Sequence, residues 1–174
     1  MSKFDPATAI QRIDGRDANR GVNPAICDSA TFTFPEAHLM TETFHGETEG
    51  YFLYSRHWNP SNLALCQRLA AMEGTDLAWV TGSGLAAITS ALLHEVNAGD
   101  HIVASMTTYG GTFAFMANYL KKFNVNCTFV NMQNLDAVKK ALAEHPNTKV
   151  VYTVTMNNPL LRIANIPELS KMAH

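Results

Sequence analysis

The sequence has little charge and no long apolar run. Charged residues make up 16% of the chain, and the net charge is −2, which gives no reason to expect nucleic acid or an anionic membrane as a partner. No apolar run approaches the roughly 20 residues that a membrane-spanning helix needs. The polar first residues lack the apolar core of a secretory signal. We therefore expect a cytoplasmic protein with neither a membrane nor a nucleic acid as partner.

Cysteine is also scarce. Cys27, Cys66 and Cys127 are widely spaced, and they form no pair at the short spacing typical of metal sites. An odd number of separated cysteines argues against a disulfide framework. We expect reduced thiols that are buried or half-buried, and we expect no metal site.

From Pro60 onward the sequence alternates between short apolar runs and longer amphipathic segments. This alternation predicts βαβ units, a mainly parallel sheet and right-handed crossovers. Ligands of such sheets bind beyond the carboxyl ends of the strands. The predicted strands cover residues 76–80, 101–105, 125–130 and 149–154. The predicted helices begin near residues 61, 85, 111, 134 and 167.

Residues 1–60 differ from the rest, because glycine and proline interrupt every long element. Short helices are predicted over 6–13 and 35–43, with a β-favouring stretch at 30–34. Aromatic side chains are dense in this region. A segment with little internal regularity and many aromatics has to pack on another surface. We interpret 1–60 as an arm that contacts a neighbouring subunit, and 61–174 as a partial cofactor-binding α/β domain.

The sequence TGSGLAAI, over 81–88, joins a predicted strand to a predicted helix. A glycine turn of this kind gathers backbone N–H groups at a helix N-terminus, where the helix dipole favours an anion. Glycine also lets the backbone approach a ligand closely. The turn is typical of a phosphate site. A plain tight βα connection is the alternative, and the turn alone does not decide between the two.

Four ordered segments carry a resemblance to a known family. They are YSRHWNPS (54–61), TGSGLAAI (81–88), AGDHIVAS followed by TYGGTF (98–113), and NNPLLRIANIPELSKMAH (157–174). In order and spacing they resemble the cysteine/methionine-metabolism enzymes that use pyridoxal 5′-phosphate, and they come closest to the methionine γ-lyase branch. The resemblance implies a type I pyridoxal-phosphate transferase (aspartate aminotransferase-like) fold, here incomplete.

The resemblance also implies residue roles. Ser83, Gly84 and Leu85 would hold the cofactor phosphate, the latter two through their backbone N–H groups. Tyr54 and Arg56 would reach the same phosphate from the neighbouring subunit. Each of these roles has a structural alternative, namely a tight turn for 83–85 and a surface salt bridge for Arg56.

Two further side chains complete the implied site. Tyr109 would stack on the cofactor ring and take part in proton transfer, and Asn158 would contact the cofactor and the substrate carboxylate. The alternatives are a buried structural tyrosine and a loop-capping asparagine. Trp58 stands where the family usually has glycine. Gly111 stands where bacterial methionine γ-lyases have cysteine.

The implied reaction is α,γ-elimination of methionine, which yields methanethiol, ammonia and 2-oxobutanoate. Cystathionine γ-lyase, cystathionine γ-synthase and O-acetylhomoserine sulfhydrylase activities remain alternatives, because these motifs do not separate them. The family implies a sulfur amino-acid substrate and a homo-oligomer, a dimer of dimers.

The chemistry also needs a lysine that bonds the cofactor aldehyde and an aspartate that pairs with the ring nitrogen. Neither occurs in the expected context here. We therefore expect the N-terminal portion of a longer enzyme, inactive alone. A non-catalytic dimerisation or binding paralogue is the alternative of another class, and an unrelated nucleotide-binding domain is a third.

Overall fold

The computed structural model describes residues 5–11 and 23–174. These residues form two compact units, one ending at Val80 and the other comprising Thr81–His174. The predicted division into an arm over 1–60 and a partial cofactor-binding domain over 61–174 stays a prediction.

The described residues of the first unit form three helices: α1 (Pro6–Gln11), α2 (Ala37–Phe44) and α3 (Pro60–Glu73). Residues 12 and 13, with which the first predicted helix ends, lie outside the described residues. Asn59, not the predicted Ser61, caps α3, and its side chain accepts a hydrogen bond from the Ser61 N–H. Pro60 fits the first helical position because the N–H that proline lacks would have no partner there. Gly74 ends α3 with φ of 69°, a left-handed conformation that glycine adopts without strain.

The aromatic-rich segments on either side of α2 have little regular structure. Their β-favouring stretch forms a single antiparallel bridge, between Thr31 and Tyr54, instead of a strand. Aromatic pairs accompany that bridge: the Phe32 and Phe52 ring centroids are 5.4 Å apart. This part of the chain is organised by isolated contacts and not by a ladder of backbone hydrogen bonds.

The strand predicted over residues 76–80 is not formed among the described residues. A strand needs a hydrogen-bonded neighbour, and this segment has none in the described part of the chain. Leu77 and Trp79 are 87% and 69% exposed. The Trp79 ring stacks on the Trp58 ring with centroids 4.3 Å apart, which gives Trp58 a structural partner within the same unit.

The second unit alternates helices and strands, as predicted. Its elements are α4 (Gly84–Glu95), β1 (His101–Ser105), α5 (Gly110–Ala114), β2 (Asn126–Val130), α6 (Leu135–Glu144), β3 (Thr148–Tyr152) and α7 (Ile166–Ala173). The helical path of α5 continues through a π turn and a 3₁₀ turn to Phe123. The three strands form a parallel sheet in the order β2-β1-β3.

The central strand β1 divides two apolar clusters. Ile102 and Ala104 belong to one cluster with residues of α4 and of the α5–Phe123 helical segment. Val103 belongs to the other, with residues of α6 and α7. Successive side chains of a strand point to opposite faces, so helices cover both faces of the sheet. Every residue of β1 is buried, as a central parallel strand requires.

The cysteines are free thiols, as the sequence predicts. Cys66 is buried, and Cys27 and Cys127 are half-buried. Burial raises the pKa of Cys127 to about 12, so this thiol is a poor nucleophile near neutral pH. The described residues contain no cluster of potential metal ligands and no helix long and apolar enough to cross a membrane.

Candidate functional site

The turn before α4 presents backbone donors that have no hydrogen-bond partner among the described residues. Ser83 is extended, and its Oγ accepts a hydrogen bond from the Ala86 N–H at 3.1 Å. Thr81 Oγ1 donates to the Ser83 carbonyl at 2.8 Å. The preceding amides, those of Gly84 and Leu85, lie in the first turn of the helix, where N–H groups have no intrahelical partner. The positive end of the α4 dipole adds to their attraction for an anion.

The same turn leaves room for a ligand. A methyl group placed on Gly82 or Gly84 would meet no other atom within 4 Å, and Ser83 and Gly84 are exposed. The described residues therefore leave space on the side of the turn where the side chains of these two glycines would lie. A phosphate group fits this arrangement because its oxygens accept hydrogen bonds from several N–H groups at once.

Tyr109 lies between β1 and α5. Its side chain is 70% exposed, and its carbonyl accepts a hydrogen bond from the Phe113 N–H at 2.9 Å. Beside it, the hydroxyls of Thr108 and Thr112 are buried without a hydrogen-bond partner in the described part of the chain. Buried hydroxyls are usually paired, and exceptions in native structures call for an explanation such as a functional role or a bound water.

The loop after β3 is organised by Asn157, which the sequence analysis did not select. Its Nδ2 donates to Thr107 Oγ1 at 2.8 Å, and its Oδ1 accepts from the Arg162 N–H at 3.1 Å. Its backbone N–H donates to the Arg162 carbonyl at 3.0 Å. Asn157 is 7% exposed, whereas the predicted Asn158 is exposed. The buried asparagine therefore fixes the loop and leaves Asn158 open to a ligand. The adjacent pair of asparagines in the sequence does not distinguish these roles.

Tyr54 and Arg56 occupy a tight turn in the first unit. The His57 and Trp58 N–H groups both donate to the Tyr54 carbonyl, at 2.8 and 2.9 Å. The Arg56 guanidinium carbon lies 5.2 Å from the centroid of the Tyr54 ring, and both side chains are exposed. Among the described residues no carboxylate forms an ion pair with Arg56. Its guanidinium is therefore available to an anion.

Asn59 anchors this turn, and sequence reasoning missed that role too. Its Nδ2 donates to Ser55 Oγ at 2.7 Å and to the Cys27 carbonyl at 3.2 Å. Its Oδ1 accepts from the Ser61 N–H at 2.8 Å. The Ser55 N–H in turn donates to the Ala30 carbonyl at 2.9 Å. An asparagine in front of a proline-initiated helix is a recognisable N-cap signal, but its contacts with 27–30 become visible only in the structure.

The predicted site residues thus fall into three places. Ser83, Gly84 and Leu85 share the N-terminus of α4. Tyr109 and Asn158 follow β1 and β3, which are neighbouring parallel strands, and so belong to the same edge of the sheet. Tyr54 and Arg56 lie in the other unit.

Comparisons with known proteins agree with one another. Residues 7–174 match the model of the Cys/Met metabolism PLP-dependent enzyme family. The methionine γ-lyase of Arabidopsis thaliana is 42% identical over 175 residues, covering 98% of this chain and 40% of that protein. The L-methionine γ-lyase of Treponema denticola is 42% identical over 149 residues, covering 86% of this chain and 36% of that protein.

Solved structures show the same relationship. An O-acetylhomoserine (thiol)-lyase structure from Campylobacter jejuni, which contains N′-pyridoxyl-lysine-5′-monophosphate, superimposes with a TM-score of 0.85 at 28% identity. It covers 98% of this chain and 42% of that one. Cystathionine γ-lyase from Lactobacillus plantarum, in complex with L-serine, gives 0.80 at 30% identity, covering 97% and 41%. The chain thus spans about two-fifths of the length of these relatives, and it belongs to the pyridoxal-phosphate-dependent enzymes of cysteine and methionine metabolism.

Proposed function

We propose that this chain supplies the phosphate-binding and ring-stacking part of a pyridoxal-phosphate-dependent carbon–sulfur lyase. The reaction proposed for the whole enzyme is α,γ-elimination of methionine to methanethiol, ammonia and 2-oxobutanoate. Supporting it, methionine γ-lyases are among the relatives at about 42% identity. A cystathionine β-lyase and an O-succinylhomoserine sulfhydrylase also match, so the family does not single out one reaction. Cystathionine γ-lyase, cystathionine γ-synthase and O-acetylhomoserine sulfhydrylase activities remain the alternatives.

The observation that carries this proposal is the turn at Ser83–Leu85. The Gly84 and Leu85 N–H groups have no hydrogen-bond partner among the described residues, a methyl group on Gly82 or Gly84 would have free space, and the turn starts a twelve-residue helix. Gly84 and Leu85 would hold the phosphate through their N–H groups, and Ser83 keeps the turn in shape by capping Ala86. When bound, pyridoxal phosphate supplies an electron-withdrawing ring that stabilises negative charge on the substrate.

The remaining residues have complementary roles in the proposal. Tyr109 would cover one face of the planar ring, and its hydroxyl could hold or move a proton. The exposed amide of Asn158 would orient the cofactor and the substrate carboxylate. Tyr54 and Arg56 would bind the phosphate of a neighbouring subunit, so the active assembly would be a homo-oligomer. We propose a dimer of dimers, located in the cytoplasm.

The chain alone is proposed to be inactive. The described lysines, Lys121, Lys122, Lys139, Lys140, Lys149 and Lys171, are all exposed. The reaction needs a lysine that is held in the site and bonds the cofactor aldehyde. Borohydride reduction followed by peptide mass spectrometry should therefore find no single lysine that carries the cofactor stoichiometrically.

Two substitutions of Gly84 test whether the turn at Ser83–Leu85 binds the phosphate. Gly84→Pro removes the amide donor, and proline suits the first position of α4 after an extended Ser83. Gly84→Ala adds a methyl group but keeps the donor, so it is the matched control. The affinity of the chain for pyridoxal phosphate, followed by quenching of tryptophan fluorescence, should fall about fivefold or more in the proline variant, as the loss of one charge-assisted hydrogen bond predicts.

The alanine variant should lose less affinity, and circular dichroism should show that both variants keep their helix content. Equal affinities in wild type and Gly84→Pro would exclude this turn as the phosphate site. The second candidate function is a non-catalytic chain that binds the cofactor. The exposure of the described lysines favours it, because the reaction needs a lysine that bonds the cofactor aldehyde. Methanethiol release from methionine by the whole enzyme that contains this chain would support the first function, and its absence there would support the second.

A further inference from the structure

The ring of Tyr109 lies directly over the backbone of Gly111. A methyl group placed on Gly111 would lie 2.6 Å from Cε1 of that ring, 3.3 Å from Cδ1 and 3.4 Å from Cζ. Carbon atoms that are not bonded pack at about 3.5–4.0 Å. Any side chain at position 111 therefore competes with the ring for the same space.

The backbone does not require glycine at this position. Gly111 lies in α5 and does not have the positive φ that the structure shows at Gly46, Gly50, Gly74 and Gly99. Glycine is also among the poorest helix formers. The reason for glycine at 111 is thus the space it leaves and not the conformation it allows.

The neighbouring Gly110 provides the contrast. It lies in the same helix, yet a methyl group placed on it would meet nothing within 4 Å. The two glycines share sequence context and secondary structure, and they differ in contact with the tyrosine ring. A substitution of Gly110 is therefore a matched control for the same substitution of Gly111.

We propose that Gly111 is a positioning residue for Tyr109. Its missing side chain lets the ring lie against the backbone of α5, and a larger residue at 111 moves the ring outward. Because Tyr109 is 70% exposed, the ring can move without disturbing the apolar core. The consequence for ligand binding rests on the proposed function, in which this ring covers one face of the cofactor. Residue 111 then sets the depth of the space left for that cofactor.

The steric part of the proposal can be tested without any cofactor. In the wild-type chain, the ring current of Tyr109 should shift the Gly111 Hα resonances in an NMR spectrum, and Tyr109→Ala should return them to ordinary values. Gly111→Ala should change the Tyr109 ring resonances, whereas Gly110→Ala should leave them in place. Identical Gly111 Hα shifts in wild type and Tyr109→Ala would overturn the proposal.

The functional part uses a double-mutant cycle with pyridoxal phosphate as the probe. Gly111→Ala should weaken binding by about two- to tenfold, the range expected when one aromatic contact is lost, while Gly110→Ala should bind as the wild type does. In a Tyr109→Ala background, Gly111→Ala should have no further effect, because the two changes act through one ring.

The outcomes separate the two proposals. Additive losses at 109 and 111 would overturn the positioning role even if the wild-type chain binds the cofactor. A wild-type chain that does not bind pyridoxal phosphate would contradict the proposed function, and the ring-current experiment would still decide whether Gly111 places Tyr109. Alanine is a better helix former than glycine, so weaker binding in Gly111→Ala would not reflect loss of α5.

Discussion

The unit formed by Thr81–His174 buries two apolar clusters on the two faces of a parallel sheet. Among the described residues of the other unit, the buried ones are Asn59, Cys66 and Ala70. There, side-chain hydrogen bonds to backbone atoms hold the turn at residues 54–59. Two kinds of force therefore position the candidate site residues. Burial fixes the strands before Tyr109 and Asn158, and polar tethers fix the turn that carries Tyr54 and Arg56.

The largest expected effect on stability is in the unit formed by Thr81–His174, which we call the apolar unit. Ile102 is fully buried in β1, and Ile102→Ala should lower the free energy of unfolding by about 2–5 kcal/mol, because it removes buried methyl groups and leaves a cavity. Ile26, which is 92% exposed in the other unit, is the control, and Ile26→Ala should cost less than about 0.5 kcal/mol. Urea titrations followed by circular dichroism measure both. Equal losses would show that the contrast between the units is not one of apolar burial.

The next largest effect on stability is in the other unit, which ends at Val80. Asn59→Ala removes an N-cap and leaves the Cys27 carbonyl and the Ser55 hydroxyl without their donor, so it should cost about 1–2 kcal/mol. Asn62→Ala, at an exposed position in the same helix, is the matched control and should be nearly neutral.

An aspartate at position 59 separates the two roles of the side chain. Asn59→Asp keeps the acceptor for the Ser61 N–H but loses the two donated bonds. Hydrogen exchange should therefore speed up at the Ser55 amide more than at the Ser61 amide. If all amides of 54–61 keep their protection in Asn59→Ala, the turn is not held by this residue.

A smaller effect is expected from the tryptophan pair. The Trp58 and Trp79 rings are nearly parallel, at 15°, with centroids 4.3 Å apart. A double-mutant cycle with alanine at each position should give a coupling free energy of about 0.5–1.5 kcal/mol. Near-ultraviolet circular dichroism should lose the same tryptophan signal in either single variant. Additive losses would mean that the stacked pair does not hold residues 76–80.

The sequence was sufficient where structure depends on local periodicity. It predicted β1, β2, β3 and the helices between them because their apolar residues recur at the spacing of each element. It failed at residues 76–80, because an apolar run becomes a strand only when another strand pairs with it, and a propensity does not reveal the partner.

The candidate site shows the same limit. The turn at Ser83–Leu85 was predictable, since glycines before an amphipathic helix expose backbone donors whatever the rest of the chain does. Asn59, Asn157 and Gly111 were not, because their importance lies in contacts with the carbonyl of Cys27, the hydroxyl of Thr107 and the ring of Tyr109. Such contacts depend on the path of the chain and leave no periodic signal.

The unit formed by Thr81–His174 also contains a buried histidine in a polar cluster, and its stability is expected to depend on pH. His101 is 2% exposed. Its Nδ1 is 2.8 Å from Thr148 Oγ1, and its Nε2 is 2.9 Å from Thr128 Oγ1. Thr148 Oγ1 donates its hydrogen to the His145 carbonyl at 2.7 Å, so it accepts from Nδ1. Nε2 therefore accepts from Thr128, and the neutral imidazole is fully paired.

Protonation of His101 is unfavourable in the folded chain. Burial, and then the nearby charge of His145, whose ring stacks at 4.0 Å, hold the pKa of His101 below its ordinary value of 6.5. Below pH 6.5 the unfolded chain binds a proton that the folded chain does not, so stability falls as pH drops through this window. Well above pH 6.5 both states are neutral at this site, and no change is expected.

Urea titrations at pH 6.5 and below should show a smaller loss of stability with falling pH in His101→Asn than in wild type. The control His57→Gln removes an exposed histidine of the other unit, and its loss should equal that of the wild type. The slope with pH is the diagnostic quantity, because the asparagine variant also loses packing at every pH. If the free energy of unfolding changes equally with pH in all three chains, the pH response does not originate in this cluster. Protonation of His101 then does not affect the stability of this unit.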